Sequence, residues 1–84
     1  MPFTVYILYS SKLDKYYTGY CKDISTRVTK HNFGSTPSTK PGIPWKLVYY
    51  ENFSTKTDAI KRELEIKKKK SRKYIEYLIS NFSG

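Results

Sequence analysis

Phe3-Thr4-Val5-Tyr6-Ile7-Leu8-Tyr9, then Lys15-Tyr16-Tyr17-Thr18-Gly19-Tyr20, is the stretch on which the fold turns. The first run is aromatic, β-branched and apolar throughout, as expected of a strand covered on both faces. Ser10 to Asp14 is a polar turn, and the second run returns as a strand, so the two form a hairpin. Further on, Asp23 caps a helix running to about Asn32, and Gly34 stops it. The segment from Gly34 to Pro44 holds three prolines and two glycines and reads as a loop. Trp45 to Phe53 is a third strand. Thr55 with Asp58 resembles a capping box opening a helix over Lys56 to Lys69. Ser71 restarts the chain, and Arg72 to Asn81 is a last amphipathic helix with Ile75, Leu78 and Ile79 on its buried stripe. The order ββαβαα predicts an α/β fold with a small sheet and helices packed on it.

Length and composition set the limits. The 84 residues make one domain, residues 1–84, with room for one modest core. No stretch approaches the ~18 apolar residues of a membrane span, so no membrane partner is expected. Met1-Pro2-Phe3-Thr4 has no basic segment before an apolar run, so no signal peptide is expected. The single cysteine, Cys21, forms no internal disulfide, which suits a reducing cytoplasm, and no Cys/His cluster offers structural zinc. Sixteen Lys+Arg against seven Asp+Glu give a formal charge of +9. Lys67, Lys68, Lys69, Lys70, Arg72 and Lys73 form a run without an acid, and such a surface attracts a polyanion through counterion release. A solvated helix end is the plainer reading of that run alone. Lys22, after the second strand, and Lys40, in the loop, are further candidate contacts.

Helical geometry picks out single side chains. On the first helix Ile24 and Val28 define the core face. Arg27 lies about 60° from Ile24 and His31 within about 20° of it, so both flank the buried face rather than bulk water. On the Lys56–Lys69 helix, Ala59, Ile60, Leu64 and Ile66 define an apolar sector with Glu63 near its centre, while Glu65 points away alongside Arg62 and Lys69. A carboxylate there needs a cation, a metal or a hydrogen-bond network. The plain solution is an ion pair with Arg27 or Lys67. The sharper one is chemistry: phosphodiester hydrolysis needs a deprotonated water, stabilised phosphoryl charge and help for the leaving oxygen. A carboxylate-held divalent metal, an arginine fork and tyrosine hydroxyls can supply these. For most of the nine tyrosines packing is explanation enough.

Thr4-Val5-Tyr6 and Tyr17-Thr18-Gly19, then Lys22-Asp23-Ile24 leading to Arg27 and His31-Asn32, resemble the GIY-YIG nuclease domain. The resemblance continues through Pro44-Trp45-Lys46-Leu47-Val48-Tyr49 and Ala59 to Lys67, and is nearest to the small single-domain bacterial members. It implies a three-stranded antiparallel sheet flanked by helices and a metal-dependent endonuclease acting on DNA, structure-selective in repair or recombination. Tyr6 and Tyr17 match the motif tyrosines, one a general base and the other a phosphate or water positioner. Gly19 allows close approach of backbone at the cleft. Arg27 matches the arginine that stabilises the transition state, His31 a polar position that assists in some members, and Glu63 the metal carboxylate, for one Mg2+ or Mn2+. Branched or single-stranded DNA is the expected partner, and a double-strand cut would need a homodimer or two encounters. Thr4 and Thr18 depart mildly from the motifs. Tyr20 stands where several active members carry lysine, which keeps two alternatives open: a catalytically weak or silent nucleic-acid-binding module, and an interaction protein whose basic tail meets an acidic partner.

Overall fold

A computed structural model describes residues 2–82. Strands β1 (Phe3–Ser10), β2 (Lys15–Cys21) and β3 (Trp45–Phe53) and helices α1 (Ile24–Asn32), α2 (Lys56–Lys69) and α3 (Arg72–Ser80) follow the expected order ββαβαα. The sheet is antiparallel with order β2-β1-β3, so the most apolar strand is central. Two helices start at their expected caps, Asp23 and Thr55, and Ser71 caps the third: they accept from the backbone N–H of Thr26, Asp58 and Tyr74 respectively. At the α2–α3 junction Lys70 adopts the left-handed region (φ 47), which turns the chain sharply between the helices. Among the described residues no helix is long and apolar enough to cross a membrane.

The pleat splits β1 between two cores. Val5 and Ile7 face α2 and α3, packing with Tyr49, Ala59, Ile66 and Leu78. Tyr6 and Leu8 face the other way, with Cys21, Trp45, Ile24 and Val28. A bulge in β3 completes this second layer. Ile7 pairs with Tyr49 but Leu8 pairs with Leu47, leaving Val48 as the extra residue. That insertion reverses the alternation, so Trp45 and Leu47 join the α1 face while Tyr49 stays on the other.

Two sequence expectations shift. Leu64 is 56% exposed, not part of the α2 core face. It lies about 140° around the helix from Ala59, and Ala59 with Ile66 is the pair that contacts the sheet. Arg62 turns inward instead, where its Nε donates to Glu51 (2.9 Å) and Nη1 to the Tyr74 hydroxyl (3.0 Å), tying α2 to β3 and α3. Within the Gly34–Pro44 loop the chain also forms a short 3-10 turn, Lys40–Gly42.

Candidate active site

The α1 face of the hairpin gathers the two motif tyrosines. Tyr6 and Gly19 are direct cross-strand partners, as are Leu8 and Tyr17. The Tyr6 ring lies over Gly19 so closely that a Cβ there would sit 2.7 Å from the Tyr6 hydroxyl oxygen. The glycine therefore makes room for a protein side chain. The rings of Tyr6 and Tyr17 are 6.3 Å apart, and Tyr17 meets His31 edge-on at 5.0 Å.

His31 is fully buried and bonded at both nitrogens. The Thr39 hydroxyl donates to the Thr36 carbonyl (3.2 Å), so its oxygen accepts from His31 Nδ1 (2.8 Å). Nε2 is then the bare nitrogen and accepts from the Tyr6 O–H (3.1 Å). The result is a directed chain, Tyr6 to His31 to Thr39 to the Thr36 carbonyl. Burial, and then the positive charge of Arg27, lower the His31 pKa from its ordinary 6.5, so the imidazole is neutral near pH 7. Burial likewise raises the Tyr6 phenol strongly, with Tyr17 and Glu63 adding to the rise and Arg27 opposing it.

The loop holds this chain in place. Trp45 Nε1 donates to the Thr39 carbonyl (2.6 Å). Asn32 clamps the Trp45 backbone from both sides, accepting from its N–H (2.6 Å) and donating to its carbonyl (3.0 Å). Sequence reasoning assigned no role to Thr39 or Asn32. A threonine in a Pro- and Ser-rich loop carries no local signal of burial, and only packing against Trp45 supplies one.

Arg27, on α1, is solvent-exposed and not turned from bulk water as its helical angle suggested. Its charge nonetheless reaches Tyr6, Cys21 and His31. Glu63 comes from α2, the layer across the sheet, yet is close enough to influence Tyr6. Its side chain is 13% exposed and its one cationic partner among the described residues is Lys67 at 3.7 Å. Tyr6, Tyr17 and His31 thus come together with the charge of Arg27 beside them, and Glu63 approaches from the other layer.

The basic residues divide. Lys67 and Lys70 line a hollow of about 430 Å3 along β2 with Lys15, Arg72 and Tyr17. Arg72 is committed to structure within it: Nη2 pairs with Asp14 (2.6 Å), Nη1 donates to the Asp14 carbonyl (2.8 Å), and the guanidinium covers the Tyr16 ring. Lys69 lies over Tyr74, while Lys68 and Lys73 are exposed. Lys22 and Lys40 are exposed at opposite flanks of α1, Lys40 against Gly34.

Known proteins resemble the chain in both sequence and shape. A UPF0213 protein of Staphylococcus epidermidis is 54% identical over 52 residues, which is 61% of this chain and 63% of that one. A UPF0213 protein of Staphylococcus saprophyticus is 56% identical over 52 residues, again 61% of this chain and 63% of that one. The matched region thus covers under two thirds of these relatives. The solution NMR structure of a UPF0213 protein from Bacillus halodurans superposes with a TM-score of 0.62 at 35% identity, covering 100% of this chain and 88% of that one. The family model of the GIY-YIG catalytic domain matches residues 2–75, which include Tyr6, Tyr17, Arg27, His31 and Glu63. The chain belongs to the GIY-YIG catalytic domain family.

Proposed function

We propose that the chain is a metal-dependent endonuclease that hydrolyses DNA phosphodiester bonds at the face formed by Tyr6, Tyr17, His31 and Arg27. The observation that carries this reading is the directed chain from Tyr6 through His31 to Thr39, with Arg27 beside it. Neutral His31 accepts from Tyr6, so the phenol oxygen keeps its lone pairs for a water, and His31 can take the phenolic proton when that water loses its own. Arg27, exposed and planar, holds phosphoryl oxygens in a fork as charge builds on them. Tyr17 packs on His31 on the same face, where its hydroxyl can position the phosphate. Membership of a nuclease family supports the same reading.

The donor set suits a hard divalent ion. Glu63 offers one poorly exposed carboxylate, and among the described residues no group of three His, Cys, Asp or Glu gathers anywhere. Magnesium and manganese fit that pattern, since Mg2+ is commonly held by one or two carboxylates with water and phosphate oxygens completing the sphere. When bound, such an ion polarises the phosphate and assists the leaving oxygen. Lys67 would release Glu63 and turn to the DNA.

The Glu63–Lys67 pair favours a second reading, a silent nucleic-acid-binding module in which Glu63 is structural. One small site makes one nick, so a double-strand cut by this chain requires a homodimer or a second encounter. Nicking of supercoiled, branched and single-stranded DNA in Mg2+, Mn2+ or chelator is the direct test. Metal-dependent nicks that vanish in Glu63→Gln are expected. Glu63→Gln that keeps its metal affinity but melts early in chelator leaves the second reading standing.

A further inference from the structure

At the end of β2 remote from the hairpin turn, Lys22, Arg27 and Lys56 open on one hollow of about 410 Å3, walled by Phe3, Tyr20 and Cys21. The three cations come from three places: the strand end, α1 and the first turn of α2. Among the described residues none is paired with a carboxylate. The nearest acid in sequence, Asp23, caps α1 through Ser25 and Thr26 and forms no ion pair with any of the three. Cys21 adds no negative charge, because burial raises its thiol pKa. Three exposed, unpaired cations around one open hollow make a local positive potential that attracts an anion. The hollow has the size of a small-ligand site, and its Phe3 and Tyr20 walls are apolar.

We propose that this hollow is a second phosphate subsite, holding the phosphodiester adjacent on the same strand to the one at Arg27. Lys22 and Lys56 take its non-bridging oxygens, and Tyr20 and Phe3 face the deoxyribose between the two phosphates. Lys22 is already oriented, its ammonium standing 5.7 Å from the Phe3 ring centre. The subsite rests on the reading of Arg27 as the clamp on the reacting phosphate. It adds a defined register along one strand, which diffuse surface charge does not supply.

The probe is thymidine 3′,5′-bisphosphate, titrated in chelator and followed by calorimetry and by amide shifts of the labelled protein. Shifts should centre on Cys21, Lys22, Arg27 and Lys56. Affinity should fall at least about tenfold in Lys22→Ala/Lys56→Ala, the scale of lost charge-assisted bonds. The charge-matched Lys12→Ala/Lys46→Ala, altered at the other end of the sheet, should bind nearly as the parent does. Equal losses in the two double variants, or shifts centred on Lys67 to Lys73, overturn the subsite. All four lysines are exposed, so these variants should fold. The assay needs neither metal nor turnover. A chain that binds the bisphosphate as described but cuts no DNA overturns the nuclease and keeps the subsite.

Discussion

Tyr6 concentrates the chemistry and the cost of the site in one hydroxyl. Its burial disfavours the phenolate, so the proposed mechanism works through the neutral imidazole of His31. Tyr6→Phe should lower cleavage by roughly 10²-fold, the scale of general acid–base help. It should also cost about 1–3 kcal/mol in thermal or urea unfolding, because Nε2 of His31 is then buried without a donor. Near-wild-type nicking by this variant would exclude a Tyr6-assisted mechanism. His31 links the site to pH. Its folded pKa lies below the unfolded 6.5, so the unfolded chain takes up the proton first as acid is added. The His31 contribution to stability is therefore complete above pH 6.5 and is lost as pH falls from there through the lower folded value. Melting temperatures of wild type and His31→Gln across pH 4 to 8 should show a slope below about 6.5 that flattens in the variant.

At the scale of elements, the hairpin and the α1–β3 loop position these groups. Gly19 is where the two strands and the site meet. Gly19→Ala would press a methyl against a Tyr6 ring that is buried and hydrogen-bonded, so the ring cannot swing away. We expect a loss of about 1–3 kcal/mol by denaturant titration and a cleavage defect approaching that of Tyr6→Phe. Unchanged stability would mean that the ring moves freely. The loop depends on Asn32, whose amide replaces a missing strand partner at Trp45. Asn32→Ala should free the loop, raising amide hydrogen exchange at Thr39 and Trp45 before that of β1.

Across the whole molecule, a formal charge of +9 favours association with a polyanion, while the fold decides which charges are free to serve. Arg72 is bound to Asp14 and Glu76, whereas Lys68, Lys70 and Lys73 are exposed and appear in none of the ion pairs among the described residues. Replacing Lys68, Lys70 and Lys73 by alanine should lower the salt slope of DNA binding by roughly one unit per contact, without changing sequence preference. Arg72→Ala should instead loosen the hairpin turn against α3, visible as earlier melting at low salt. Fluorescence titrations at several salt concentrations, with melts alongside, separate the two kinds of residue.

Much of this was legible in the chain itself. Apolar and aromatic runs about a polar turn marked the hairpin, cap residues marked the first two helices and an apolar stripe the third, and the motif tyrosines, Arg27, His31 and Glu63 stood in an order that matched the family. Those signals are local, carried by spacing and by the conformational preferences of single residues. What a residue touches across the fold is different. The bulge at Val48 that turns Trp45 toward Tyr17, and the inward turn of Arg62 in place of Leu64, arise from packing between distant segments. So does the burial of Thr39 beneath Trp45, which fixes the tautomer of His31. The residue types at the site were determined by sequence, but their protonation and direction were decided only when β1, α1 and the loop closed on one another and excluded water.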